Sequence, residues 1–410
     1  MRPSAILRFA SFTFLVAISA FAQTASPLAP SYRFASGSAS RRIPIEVVAD
    51  GLVFLQAKIN DRVGWFILDN AVQGFIVDRD YARHNSLQSS GTAMTRGEGP
   101  KATEAGIIRD VKISLPGFDL THRVLTAIDL KSLEPAIGHE VDGIIGSRLF
   151  DDFVVVVDYE RRQLSIYGQD QYHGAKETAL PVRVDEHGFH FIDATFALPG
   201  VSPITGNFLI DSGANTYLDI YKPFSDAHQL PPPTMKLLDA PGTSPGATTK
   251  SKDGRATRIE VGPFAIANPP VSFVEDVEGL MAAKDHAGLI GAGFLQRFTV
   301  AYDSRGKRIW LSPNSSYQDA PEYDQSGLRV RAEGPDFHRF VVARILSQSP
   351  AAEAGFEPGD LIESVDDRVA SQLTLTEIRR LLCKPKTRHR LTIMRAQRRL
   401  HIALQLRPLL

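Results

Sequence analysis

A mainly β chain, built as a duplicated β unit and closed by a small α+β domain, is what this sequence predicts. Three observations carry the expectation. Short apolar or alternating runs, punctuated by Gly, Pro, Asn and Asp, dominate from Ile43 onward. Two pairs of matching blocks recur at matching separation within residues 43–315. Beyond residue 327 a new order begins, with two strands, a turn-rich stretch, one helical stretch and two closing strands.

The bulk numbers place the chain in a class before any motif is read. Its 410 residues are 43% hydrophobic and 22% charged, as in a folded globular protein of two or three domains. A formal net charge of zero leaves no electrostatic footprint for nucleic acid or an anionic membrane. Residues 1–22 read as a secretory signal peptide: Arg2 and Arg8 precede the apolar run 9–22, which closes on Ala20-Phe21-Ala22. That run is too short for a stable membrane span, so an exported protein, periplasmic or secreted, is expected. Cys383 is the one cysteine, so no intramolecular disulfide stabilises the chain. Its place near the end of a helical stretch suits a half-buried structural thiol.

The remaining elements follow in order. Residues 23–42, rich in Ser, Ala and Pro, read as a flexible tether. "GWFILDNAVQGFIVD" (64–78) then aligns with "GNFLIDSGANTYLDI" (206–220), setting Asp69 opposite Asp211. "GIIG" (143–146) aligns with "GLIG" (288–291), and an Asp follows fifteen residues after the first Gly of each block, at Asp158 and Asp303. The separations agree as well, 74 residues from Asp69 to Gly143 and 77 from Asp211 to Gly288. The lobes are expected at 43–175 and 176–314, a linker at 315–327 and the closing domain at 328–410.

A carboxylate at the end of a buried strand is costly unless paired, bonded or functional. Two of them, brought together by related lobes, form a chemical device. Like charges about 3 Å apart cannot both ionise, so the pair shares a proton. The ionised member can then take a proton from a water while the neutral one polarises a carbonyl. No cofactor or metal is called for. "HGFH" (187–190) on a strand puts its histidines on opposite faces, and both are expected at the surface. Ser212 lacks the G-x-S-x-G elbow of a hydrolase nucleophile. The Gly-rich segments 96–106 and 241–254 lack the Lys-Ser/Thr of a phosphate loop and fit hairpins instead.

"IDSGA" (210–214), with the two Gly-apolar-apolar-Gly blocks, resembles the signature of aspartic proteases, in their retropepsin-like bacterial branch. The resemblance spans about 270 residues. It implies a two-lobed β-barrel fold with Asp69 and Asp211 as the catalytic dyad. It also implies that the Ser212 hydroxyl braces the two loops and that Gly213 lets the backbone approach the carboxylates. Lobe 1 departs from the pattern by reading Asp69-Asn70-Ala71. Asn70 is longer and flatter than the expected hydroxyl residue, and Ala71 would be strained by about 1 kcal/mol if its site required positive φ.

"SPAAEAGFEPGDLIESVDDRVAS" (349–371) resembles a bacterial PDZ domain of exported proteases. That resemblance implies capture of a peptide C-terminus by the loop and strand start Phe337-His338-Arg339-Phe340, with Thr376, Ile378 and Leu382 on the facing helix. The expected protein is a monomeric aspartic-type endopeptidase that hydrolyses peptide bonds of a peptide or protein substrate. The alternative is a degenerate protease fold that serves as a peptide-binding scaffold.

Overall fold

The computed structural model describes residues 17–18, 29–96, 103–174, 178–240, 242–244, 247–276, 280–384 and 386–410. Nearly all of the signal-peptide segment and the tip of the hairpin at 96–106 lie outside them. The protein is mainly β, as expected. Strands that carry the site are numbered in chain order: β1 (Arg62–Leu68), β2 (Phe75–Asp78), β3 (Gly143–Ile145), β4 (Val154–Asp158), β5 (Ile204–Asp211), β6 (Asp219–Ile220), β7 (Gly288–Gly291), β8 (Phe298–Asp303), β9 (Leu328–Glu333) and β10 (Arg339–Ile345).

The repeat in sequence is a repeat in topology. In the first half β3 runs parallel to β1, pairing Gly143 with Phe66, and antiparallel to β2, pairing it with Val77. In the second half β7 runs parallel to β5, pairing Gly288 with Phe208, and antiparallel to β6, pairing it with Ile220. Apolar residues fill the buried positions of both sets, so each strand is covered on two faces and its register is fixed by packing. Each set sits within its own ten-stranded sheet.

A separate six-stranded sheet joins the halves, because β4 and β8 pair antiparallel across the junction, Val155 with Tyr302 through Asp158 with Thr299. One strand from each half thus lies at the seam, and a single apolar cluster runs from Ile43 to Leu311 through both. The halves are joined as one body by burial of this shared surface.

The tether expected at 23–42 is corrected over the part described. Ser31–Phe34 pairs antiparallel with Phe118–Thr121, and the Phe34 ring packs on Phe118 and Phe153. An aromatic residue gains more by burial there than a Ser/Ala-rich sequence gains by remaining a free coil. The linker is likewise held down: the Tyr317 ring packs at a tilt against Phe298, and the Tyr323 hydroxyl donates to Asp253 Oδ2 at 3.0 Å.

The C-terminal unit carries its own core, with Leu328, Phe340, Ile362, Ile378, Leu391 and Leu404 in one cluster. Its sheet begins at β9, passes to β10 and ends at Arg398–Gln405. Two helices lie where this unit meets the first half: α1 (Glu134–Ile137), in the first half, and α2 (Leu375–Leu381), in the C-terminal unit. Thr374 and Glu377 form a capping box that fixes the start of α2. Among the described residues no helix is long and apolar enough to cross a membrane.

Candidate functional site

Asp69 follows β1 and Asp211 ends β5, so the duplicated topology delivers one carboxylate from each half to the same place. Both are 0% exposed. The two loops lock each other in a reciprocal set of four buried hydrogen bonds. Asn70 N–H donates to Ser212 Oγ at 3.1 Å, and Ser212 N–H donates to Asn70 Oδ1 at 2.8 Å. Asn70 Nδ2 donates to the Ile210 carbonyl at 2.7 Å, and Ser212 Oγ donates to the Leu68 carbonyl at 3.1 Å. Each loop thereby caps the strand that leads to the other's carboxylate.

Asn70 therefore fills the place of a hydroxyl residue with two atoms where Ser212 uses one. The expectation of strain at Ala71 is not met, since Ala71 is absent from the described non-glycine residues of positive φ. Its methyl is buried beside Leu209, Ala214 and Tyr221 of the second half. Gly213 is required for a different reason than φ. A Cβ there would lie 2.0 Å from Asp69 Oδ2. Gly213→Ala is expected to lower the thermal unfolding midpoint and to remove any cleavage that depends on the pair, at an overpacking cost of roughly 1–3 kcal/mol. An unchanged midpoint in a melting curve would contradict that close approach.

The Gly-apolar-apolar-Gly blocks support both loops from below. The Asp69 N–H donates to the Ile145 carbonyl at 3.0 Å. Ser147 N–H donates to Val72 O at 2.7 Å, and its counterpart Ala292 N–H donates to Ala214 O at 2.6 Å. A Cβ at Gly146 would sit 2.3 Å from Val72 O, and one at Gly291 2.5 Å from Thr216 O, so the last glycine of each block admits its loop.

The carboxylates are held alike. Ala71 N–H donates to Asp69 Oδ1 and Gly213 N–H to Asp211 Oδ1, each at 2.8 Å. Oδ2 of each is buried and has no hydrogen-bond partner among the described residues. Burial pushes the Asp211 carboxyl up to about 7. Burial, then the charge of Asp211, pushes Asp69 well above the usual carboxylate range. The two carboxyls titrate as a pair, and burial and their mutual repulsion hold a proton on the pair well above the ordinary carboxylate range.

Several buried polar residues around this pair escaped the sequence reading. Asp219 and Asp253 are both buried; burial holds Asp219 well above its ordinary range and Asp253 at about 6. Ser272 donates to Asp253 Oδ1, so the chain of groups runs from beside the second loop to Tyr323 of the linker. The polar residue inside the apolar run "YLDI" was the available signal for Asp219. His190, expected at the surface, is fully buried with Nε2 2.9 Å from Ser304 Oγ, and burial drives it down to about 4. His187 keeps partial exposure. Among the described residues no group of three or more His, Cys, Asp or Glu side chains could hold a metal. Cys383 is half-buried, and burial pushes its thiol up, away from nucleophile behaviour.

In the C-terminal unit the structure places the expected peptide-binding residues around a strand that is already paired. Strand β10 is paired on both sides, with β9 through Leu328–Ile345 to Glu333–Arg339 and with Leu361–Val365 through Phe340–Ile362. A strand with both edges used cannot accept a third. Phe340 lies in the core, His338 Nδ1 bonds the Leu373 carbonyl at 2.9 Å, Arg339 reaches Glu333 at 3.6 Å, and Phe337 packs partly buried with φ +56°. β9 is one of the two end strands of this sheet, Arg398–Gln405 being the other, and α2 packs beside β9. The pattern of apolar residues reveals which segments are strands, but not which neighbour each strand takes.

Comparisons with known proteins bear on the two parts unequally. No curated protein matches the chain. Among solved structures, conglutin gamma, a basic 7S globulin from lupine seeds, shares 12% identity at a TM-score of 0.42, over 69% of this chain and 97% of its own. The basic 7S globulin from soybean shares 11% at a TM-score of 0.40, over 68% and 95%. TM-scores of this size carry no argument about function. Residues 341–395 match the PDZ domain family, and the C-terminal unit contains a PDZ domain.

Proposed function

We propose that this protein is an exported aspartic-type endopeptidase of the retropepsin-like kind, with a PDZ domain that recognises a peptide or partner. The observation that supports it most is the cross-braced pair Asp69 and Asp211, each with one oxygen held by backbone and one without a partner among the described residues. The ionised Asp211 takes a proton from a water set between the two Oδ2 atoms, and the protonated Asp69 donates to the substrate carbonyl as the water attacks it. The tetrahedral intermediate collapses when the amide nitrogen accepts a proton from the pair. Oxygens fixed by N–H donors keep the pair oriented throughout. A peptide bond reaches these buried atoms only after the covering segments part.

The test is cleavage of a mixed peptide library by residues 23–410, scanned from acidic to neutral pH, beside Asp69→Asn and Asp211→Asn. Cleavage by the wild type and none by either folded variant supports the dyad. Equal silence in all three supports the second reading, a peptide-binding scaffold, which the complete burial of both carboxylates favours.

A further inference from the structure

The PDZ domain does not hang free of the two halves. At the open edge of β9 lies α1 of the first half, and the two are in contact. Arg379 Nη2, on α2, donates to the Ala136 carbonyl at 2.7 Å and to the Val330 carbonyl at 3.1 Å, tying α1, α2 and β9 together. Beside it, Gly138 ends α1 in the left-handed region, φ +75°, and a Cβ there would meet Leu375 Cβ at 2.7 Å. Ala49 N–H donates to Thr376 Oγ1 at 3.2 Å, a third tie between the first half and α2.

Between β9, α2, the linker and the second half lies a cavity of about 180 Å³. Leu328, Val330 and Leu382 supply its apolar wall, Arg329 and Arg379 its cations, and Thr216 of the second dyad loop closes it opposite. Asp50, Asp253, Glu322 and Asp324 line it too, and Arg329 Nη1 is already paired with Asp324 Oδ2 at 2.8 Å. The room left is short of what an extended chain needs beside β9.

We infer that α1 is the resident occupant of the PDZ peptide groove, and that an extended peptide with an apolar end binds along β9 only when the PDZ domain lifts off α1. This rests on the peptide-recognition reading of the PDZ domain and not on the dyad. Strand addition gives such a peptide backbone hydrogen bonds, and the apolar wall takes its side chain. Arg379, half-buried in the closed protein, is released from the Ala136 carbonyl in the same event. Ala136 and Ile137 belong to the apolar cluster that contains Val72 of the first dyad loop, so undocking frees one wall of that cluster. An affinity measured on the closed protein is reduced by the fraction of molecules that are open.

The test uses residues 23–410 carrying Asp211→Asn, so that cleavage plays no part. The probe is a fluorescein-labelled peptide with a Gly-Ser leader and a Val-Val-Leu end, followed by anisotropy and by amide hydrogen exchange. Binding should raise exchange at Ala49, whose N–H bonds across to Thr376, while protecting 328–333. Gly138→Val, which wedges α1 from Leu375, should bind the probe at least about tenfold more tightly. Thr376→Val, which only removes the acceptor of Ala49, should shift affinity the same way by less. Binding with Ala49 still protected overturns the inference and leaves peptide recognition standing. No binding by wild type or either folded variant overturns both.

Discussion

Exchanging Asn70 for alanine lowers unfolding stability by about 2–5 kcal/mol, while Asn70→Thr retains most of it. The side chain accepts from the Ser212 N–H and donates to the Ile210 carbonyl, and both partners are buried. Alanine leaves that donor and that acceptor unpaired, and each orphaned group costs roughly 1–3 kcal/mol. Threonine at 70 can accept and donate through one oxygen. Ser212 already does so in mirror image, accepting from Asn70 N–H and donating to the Leu68 carbonyl. A loss of this size is a large share of a stability of about 5–15 kcal/mol. Ser212→Ala should cost a similar amount, and the double variant less than the two together, because both belong to one network. Denaturant unfolding of the wild type and the four variants at one pH measures this directly. If Asn70→Ala unfolds within about 0.5 kcal/mol of the wild type, the reciprocal brace is not what holds the halves in register.

That brace was half legible in the sequence. The duplication set Asp69 opposite Asp211 by simple alignment, and in the structure the two loops hydrogen-bond to each other. Asn70 read as a departure because a motif records residue types, whereas the site needs one acceptor and one donor at given positions. Similarly, Ala71 raised the question of φ, but the backbone there is ordinary and the crowding falls on Gly213. The failures share a cause. The burial of His190, the pairing of Ser31–Phe34 and the double pairing of β10 all depend on contacts between residues far apart in sequence. Periodicity reports which face of an element is apolar and says nothing of what covers it. For the same reason the docking of α1 on the PDZ domain left no trace in either segment.

At neutral pH, replacing Asp211 by asparagine raises stability even as it removes the proposed base. Burial lifts the Asp211 carboxyl from its ordinary value near 3.8 to about 7. The sign follows from proton counts. Between those values the folded chain keeps a proton that the unfolded chain has released, so stability falls as pH rises through this window. Below about pH 4 both states are protonated and the penalty vanishes; above about pH 7 it is fully present. Its size is on the order of 4 kcal/mol, which asparagine, neutral at every pH, avoids. The neighbouring Asp69, also raised well above the carboxylate range by burial and by Asp211, adds a penalty of the same sign. Asp211→Asn and the wild type should therefore unfold together near pH 4 and separate progressively toward pH 8, the variant being the more stable. Unfolding curves at several pH values decide it. A variant no more stable than the wild type at pH 8 means the carboxylate is solvated or paired in solution, and the pair is not the buried, strained device from which the proposed chemistry draws its base.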